Sequence, residues 1–178
     1  MLAYHVFRDD VKAHPGMSVN YLGNGEPGGP FLMTMEQYRL VNQYYPQGVS
    51  RHGFRYLNPA DKTLDSFTSH AIETVFELVR LTEFPDRLSR FQSAFACPTL
   101  ESAQQWVRRF GQGEIWSVEV DDHAPQLDAS FLRIDDNGAY SHVRAICNAR
   151  SYWNGCYSEN PELEILVPLP FSFVNKIT

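Results

Sequence analysis

The sequence predicts an α+β protein built on largely antiparallel sheets. Segments with helical periodicity are concentrated before Gly111, whereas segments of strand character dominate after it. Helices followed by a meander of strands are typical of α+β folds. The 178 residues suffice for one domain with a substantial core. We therefore expect a single domain over residues 1–178.

The first predicted strand covers residues 2–8, which are rich in β-branched and aromatic side chains and are followed by Asp9 and Asp10. Because side chains alternate along a strand, His5 and Arg8 are expected on opposite faces. The composition of residues 135–138, Asp-Asp-Asn-Gly, predicts a hairpin turn. The remaining predicted strands cover residues 88–97, 114–120, 131–134, 140–152, 162–167 and 171–177.

Three helices are predicted from their spacing of apolar residues and from their end signals. Thr34 is a capping residue with Gln37 three positions later, and Pro46 ends that helix. Thr99 and Gly111 are the N-cap and C-cap of another helix. The three helices cover residues 34–45, 68–84 and 99–110, and residues 23–30 and 47–66 are predicted as loops.

Composition excludes several classes of protein. A net charge of −6 argues against nonspecific binding to nucleic acid or to an anionic membrane, although a small anionic ligand in a local basic pocket remains compatible. No apolar run approaches the ~20 residues needed to span a bilayer. No signal peptide is visible, which predicts a cytoplasmic protein or one exported or injected without a cleaved signal. The three cysteines are odd in number, which indicates a reduced compartment, and their spacing is not that of a zinc site.

Residues 152–168 carry the strongest functional signal. We interpret Tyr152 and Trp153 as part of an aromatic loop that leads into a short strand. Glu162 and Glu164 fall on one face of that strand, opposite an apolar face. Burial of the apolar face is expected to point the two carboxylates toward solvent or into a cleft. They can also be a solvated strand face with no function.

Three segments in this order resemble the motifs of the ADP-ribosyltransferase superfamily of NAD-dependent bacterial toxins. The first is the opening strand with Tyr4-His5 and Arg8. The second is residues 89–96, Ser-Arg-Phe-Gln-Ser-Ala-Phe-Ala, followed by a helix. The third is the Glu-x-Glu pattern of residues 162–164. The resemblance implies a split pair of mostly antiparallel sheets, with helices from the N-terminal half packed on them.

The resemblance also implies a mono-ADP-ribosyltransferase, which cleaves the nicotinamide–ribose bond of NAD and transfers ADP-ribose to a macromolecule. Glu164 would stabilise the oxocarbenium-like transition state, and Glu162 would orient the acceptor, as in enzymes that modify arginine. The acceptor would be a protein, with nucleic acid left open, and a toxin of this kind can have a neutralising immunity or antitoxin protein. The residues implied in NAD binding are His5 or Arg8, Ser89 or Ser93, Arg90, Tyr152 and Trp153.

Two other functions remain open from the sequence. An NAD glycohydrolase on the same fold would use water as the acceptor. A non-catalytic α+β binding module would carry Glu162 and Glu164 as surface charges. Each implied NAD-binding side chain also has a structural interpretation, for example His5 as a half-buried histidine and Trp153 as strand-end packing.

Overall fold

The computed structural model describes residues 1–9, 11–22, 34–57, 64–136 and 139–177. Within these ranges the chain forms two antiparallel sheets, a short two-stranded ribbon and five α-helices, which confirms the α+β class. The helices are Met35–Tyr44 (α1), Arg51–Leu57 (α2), Leu64–Glu83 (α3), Leu100–Phe110 (α4) and His142–Asn154 (α5). The strands are Leu2–Phe7 (β1), Ser18–Val19 (β2), Ser93–Ala96 (β3), Glu114–Glu119 (β4), Gln126–Asp128 (β5), Asp135–Asp136 (β6), Ala139–Tyr140 (β7), Leu163–Pro168 (β8) and Phe171–Lys176 (β9).

The two sheets are joined beside β1. The four-stranded sheet has the order β1-β4-β9-β2, and the three-stranded sheet has the order β3-β8-β5. Tyr4 of β1 exchanges two backbone hydrogen bonds with Cys97, directly after β3, at N···O distances of 2.9 and 2.7 Å. This bridge holds the predicted first motif against the predicted second motif.

Strand β8 is covered on both faces. Ile165 and Val167 belong to an apolar cluster that contains residues of both sheets, including Ala3, Trp116 and Phe173. Leu166, on the opposite face, packs in a second cluster that is formed mainly by α3 and α5. A strand in this central position has no solvated face, so its polar side chains must be satisfied internally.

The end signals of two helices are confirmed. Thr34 and Gln37 form a capping box at α1. The Thr99 hydroxyl accepts from the backbone N–H of Ser102 at the start of α4, and Gly111 ends that helix with a left-handed φ of 72°. These signals involve residues three to four apart, which explains why the sequence alone predicts them.

The predicted strand over residues 140–152 is wrong, because His142–Asn154 form helix α5. Ser141 caps its start, and Gly155 ends it with a φ of 73°. Its buried residues, Ala145, Asn148, Ala149, Tyr152 and Trp153, recur at helical spacing. The aromatic and β-branched residues of this segment favoured a strand only locally. The helices on the sheets therefore come from both halves of the chain, not from the N-terminal half alone.

Smaller differences concern segment ends and loops. The segment 47–66 contains helix α2 and the start of α3, and residues 90–92 form a 3₁₀ turn rather than the start of a strand. The strand predicted over residues 131–134 is wrong, because Phe131 ends a second 3₁₀ turn and residues 132–134 form no strand; the third strand of the smaller sheet is β5. The predicted loop 23–30 and the centre of the predicted hairpin turn, residues 137–138, lie outside the described residues. Strands β6 and β7 pair on either side of that turn.

Candidate functional site

A cavity of about 600 Å³ opens between β1, α2 and β3. His5 and Arg8 line it from the first predicted motif, and Ser93 lines it from the second. Helix α2 contributes residues that carried no functional prediction, namely Arg51, His52, Phe54 and Arg55. The structure therefore brings part of the predicted site into one place and adds a helix to it.

His5 is held as a neutral ring. Its Nδ1 lies 2.7 Å from the carbonyl oxygen of Phe95, and the ring packs against Phe171 and Phe173. Burial lowers the pKa of His5, and the hydrogen bond to Phe95 opposes that shift only in part. A neutral imidazole that donates from Nδ1 keeps a lone pair on Nε2 as a hydrogen-bond acceptor.

Arg8 reaches the same cavity, although opposite strand faces were predicted for His5 and Arg8. Their side chains nevertheless have different surroundings, as the prediction requires, because His5 packs against Phe171 and Phe173 of β9 whereas Arg8 contacts α4. The guanidinium carbon of Arg8 lies 3.8 Å from the centroid of the Phe110 ring. Burial and the nearby charge of Arg55 lower the pKa of Arg8. The two arginines place two positive charges at this cavity.

Helix α2 is fixed against the 3₁₀ turn before β3. The backbone N–H of Ser50 donates to the carbonyl of Phe91 at 2.7 Å, and the Ser50 hydroxyl accepts from the N–H of Gly53 at 3.1 Å. A Cβ on Gly53 would lie 2.8 Å from the Cα of Phe91, so only glycine allows this approach. The close contact sets the position of the four α2 side chains that line the cavity.

Arg90 is the centre of a buried ionic network behind the cavity. Its Nε and one terminal nitrogen donate to the two carboxylate oxygens of Glu73, each at 2.9 Å. Its other terminal nitrogen donates to Glu164 and, at 2.6 Å, to the Tyr152 hydroxyl. Burial opposes the charge, but Glu164 and Glu73 raise the pKa of Arg90 well above its usual range. Arg90 is therefore fully committed inside the protein and is not placed to bind a pyrophosphate.

Glu164 accepts all its hydrogen bonds among the described residues through Oε1. The donors are Arg90 and the Tyr152 hydroxyl, the latter at 2.7 Å. Its side chain is 11% exposed and does not line the cavity. The expectation that Glu164 points to solvent or to a cleft is wrong here, because α3 and α5 cover that face of β8. Phe95 connects the two regions, since it lines the cavity and its ring centroid lies 4.7 Å from the Arg90 guanidinium carbon.

Glu162 has a different environment from Glu164. It precedes β8, its side chain is 49% exposed, and it forms a 2.9 Å ion pair with Arg109 of α4. Its backbone N–H donates to Asp128 at 3.0 Å, and Asp128 also accepts from the N–H of Ser158 at 2.8 Å. The buried Asp128 carboxylate thus holds the segment before β8 in place.

The hydroxyl groups of the two candidate serines, Ser89 and Ser93, lie in different environments. The Ser93 hydroxyl, on the cavity, donates to the carbonyl of Ser89 at 2.6 Å. The Ser89 hydroxyl donates to Glu77 at 2.8 Å and lies outside this cavity.

Tyr152 and Trp153 are fully buried in α5, so their predicted place in an aromatic loop is wrong. The indole N–H of Trp153 donates to the carbonyl of Phe76 at 2.9 Å, so its polar group is satisfied in the buried position.

One family matches most of the chain. Residues 33–178 match the family described as "Protein of unknown function (DUF2441)". The chain belongs to this family. The DUF2441 match includes α2, Ser93 and Glu164, whereas His5 and Arg8 precede it. No curated protein matches the chain.

Besides Arg51, Phe54 and Arg55, sequence reasoning missed two residues that lie between the cavity and the Arg90 network, His52 and Glu73. Nε2 of His52 lies 3.1 Å from Oε1 of Glu73, within ion-pair distance. His52 lines the cavity, so it connects the cavity to the Arg90 network. A signal existed for Glu73, because Glu73, Glu77 and Arg80 recur at helical spacing on the side of α3 that also buries Phe76.

Two further classes of site were searched. Within the described ranges, no group of three or more His, Cys, Asp or Glu side chains is arranged to hold a metal ion. None of the described helices is long and apolar enough to cross a membrane.

Proposed function

We propose that this protein is a mono-ADP-ribosyltransferase that binds NAD in the cavity between β1, α2 and β3. The observation that carries the proposal is the convergence of His5, Arg8 and Ser93 on that cavity, although 85 residues separate Arg8 from Ser93 in the chain. The cavity volume of about 600 Å³ lies in the range of small-molecule sites.

The lining of the cavity suits a phosphorylated ribose ligand. Nε2 of His5 can accept a hydrogen bond from a ribose hydroxyl, because the Phe95 carbonyl fixes the proton on Nδ1. Arg8 and Arg55 offer planar guanidinium groups to phosphate oxygens. The apolar side chains of Phe54 and Phe95 supply surfaces for an aromatic ring.

In the proposed reaction, the bond between ribose C1′ and the nicotinamide nitrogen breaks, and its electron pair leaves with neutral nicotinamide. Positive charge develops on the ribose, and the Glu164 carboxylate stabilises it. Arg90 and Tyr152 orient Glu164 through Oε1, which leaves Oε2 for the substrate. Because Glu164 lies outside the cavity lining, the side chain of Phe95 must move for the ribose to reach it.

The acceptor nucleophile then bonds to C1′ and releases a proton. Exposed Glu162 is the proposed base and the group that attracts an arginine of a protein acceptor, in competition with Arg109. A nucleic-acid acceptor and a neutralising protein partner are part of the same proposal. Water as the acceptor would give an NAD glycohydrolase, which the same assay distinguishes.

A second candidate function is non-catalytic binding of a phosphorylated ligand. It is favoured by one observation: Glu164 is paired to Arg90 and Tyr152 and does not line the cavity. In this case the Arg90 network is purely structural, and the cavity binds its ligand without cleaving it.

The test is incubation of the purified protein with NAD that is labelled on the adenosine side. Nicotinamide release is measured together with transfer of label to protein and RNA. Glu164→Gln should lower both activities by about 100-fold or more, because a charge that stabilises the transition state is lost. Glu162→Gln should reduce transfer more than hydrolysis. Glu159→Gln is the matched control, since Glu159 is exposed and precedes the same strand.

Three outcomes separate the candidates. Labelled acceptor that depends on Glu164 supports the transferase, and free ADP-ribose alone supports the glycohydrolase. NAD binding without nicotinamide release supports the binding module. Turnover that is unchanged in Glu164→Gln contradicts the proposed mechanism.

A further inference from the structure

The charges around the cavity differ in sign from those of the whole chain. Three arginines, Arg8, Arg51 and Arg55, and one carboxylate, Asp9, are among its described lining residues. The local balance is therefore positive in a chain whose net charge is −6. Like charges that face one space repel each other unless an anion is bound between them.

We propose that Arg51 and Arg55 of α2 form, with Arg8, a clamp for the diphosphate group of a nucleotide ligand. In assigning the diphosphate of NAD, the clamp rests on the proposed function, but ADP tests it without any turnover. No motif of the sequence assigned Arg51 or Arg55 to a ligand.

The geometry of α2 supports the clamp. Arg51 and Arg55 are four residues apart and therefore lie on the same face of the helix. The tight contact of Gly53 with the turn at Phe91 places this face beside the cavity. Two guanidinium groups one helical turn apart match two successive phosphates, because each can donate bidentately to one phosphate.

The three arginines differ in their interactions with neighbouring side chains. Arg51 forms an ion pair with Asp9. Among the described residues, Arg55 and Arg8 form no ion pair; Arg8 stacks on the Phe110 ring, and the charge of Asp9 acts on it from nearby. Stacking fixes the plane of the Arg8 guanidinium at low cost in conformational entropy, so its donors remain available to a ligand. Asp9 keeps Arg51 in place until a phosphate competes for it.

Isothermal titration calorimetry tests the clamp with ADP, AMP, adenosine and inorganic pyrophosphate at low and at physiological salt. ADP should bind more tightly than AMP, and adenosine should bind weakest. The advantage of ADP over adenosine should shrink as salt is raised. Arg55→Ala should weaken ADP binding by about 10- to 100-fold and leave adenosine binding unchanged.

Two further variants make the result specific. Arg39→Ala removes the same charge from an exposed position on α1 that does not line the cavity, and it should bind ADP as the wild type does. Arg55→Lys retains the charge but not the planar fork, so it should recover only part of the affinity. Arg55 is exposed, so both of its variants are expected to fold, which their melting temperatures check.

The clamp is overturned if AMP binds as tightly as ADP, or if Arg55→Ala and Arg39→Ala have the same effect. Tighter binding of an acidic peptide or of RNA than of ADP also overturns it. ADP binding through Arg55 without nicotinamide release from NAD would contradict the enzyme proposal and support the clamp. Glu164-dependent turnover that Arg55→Ala does not change would contradict the clamp alone.

Discussion

Replacement of Arg90 by methionine tests whether the buried network holds the fold together. Arg90 is 3% exposed and is the shared partner of Glu73 and Glu164, which are 5% and 8% exposed. Without Arg90, two buried carboxylates lose their common counter-charge. Removal of one partner from a buried ion pair costs about 3–5 kcal/mol of stability. For a chain of this length, that loss lowers the melting temperature by about 6–20 °C.

Arg150→Met is the matched control. Arg150 also forms a bidentate pair with a glutamate, Glu83, at 2.7 and 2.8 Å, but its side chain is 53% exposed. Exposed ion pairs contribute about 0–1 kcal/mol, so this variant should be close to the wild type. The triple variant Glu73→Gln, Arg90→Met, Glu164→Gln removes all three charges and should regain most of the lost stability.

The pH dependence gives a second measurement on Arg90→Met. In the wild type, burial opposes ionisation of Glu73, but Arg90 and His52 outweigh it and lower the pKa of this carboxyl. Its contribution is therefore present above the unfolded pKa of about 4.3 and is lost as the pH falls through the folded pKa. Without Arg90, burial is expected to raise the pKa of Glu73, so the variant should lose stability as the pH rises.

Urea denaturation at pH 4 and pH 8 measures both effects. The difference in unfolding free energy between wild type and Arg90→Met should be larger at pH 8. An Arg90→Met variant that is as stable as Arg150→Met would refute the reasoning. A stability difference that is equal at the two pH values would refute it as well.

Two other predictions concern packing and thiol chemistry. Gly53→Ala should lower the unfolding free energy by about 1–3 kcal/mol and weaken ADP binding, because the added Cβ collides with the backbone of Phe91 and displaces α2. Thermal melting measures the stability and calorimetry measures the binding. An unchanged melting temperature contradicts the prediction. Cys147 and Cys156 are exposed, whereas burial and the charge of Glu164 raise the pKa of Cys97 to about 12. A thiol reagent such as dithionitrobenzoate should therefore label two thiols in the native protein and a third only after unfolding, and three rapid equivalents would contradict the burial of Cys97.

The sequence predicts those elements whose signals are local. The strands β1, β4 and β8 and the helices α1 and α4 combine an apolar pattern with end signals a few residues apart. Helix α5 was missed although Ser141 and Gly155 bound it, because its aromatic and β-branched residues favoured a strand. What decides its structure is the packing of Tyr152 and Trp153 against α3, a contact about 75 residues away in the chain.

The candidate site shows the same limit. The resemblance to ADP-ribosyltransferases singled out Arg90, Tyr152 and Glu164 separately and implied that each acts on NAD. The structure instead bonds them to one another, over sequence separations of 62, 74 and 12 residues. Residues so far apart in the sequence meet only because the folded sheets bring them together. The cavity residues of α2 were missed for the same reason, since only the docking of Gly53 brings them to β1.

The charges of the network bear on the catalytic role that we propose for Glu164. Glu73 alone already pairs both of its oxygens with Arg90 and balances its charge. Glu164 adds a second buried carboxylate to the single guanidinium of Arg90, and burying a further carboxylate is costly. Glutamine in place of Glu164 could still accept from Arg90 and from the Tyr152 hydroxyl. The Glu164→Gln variant of the NAD assay should therefore fold at least as stably as the wild type. A variant that is stable and inactive would then separate the chemistry of this carboxylate from its packing.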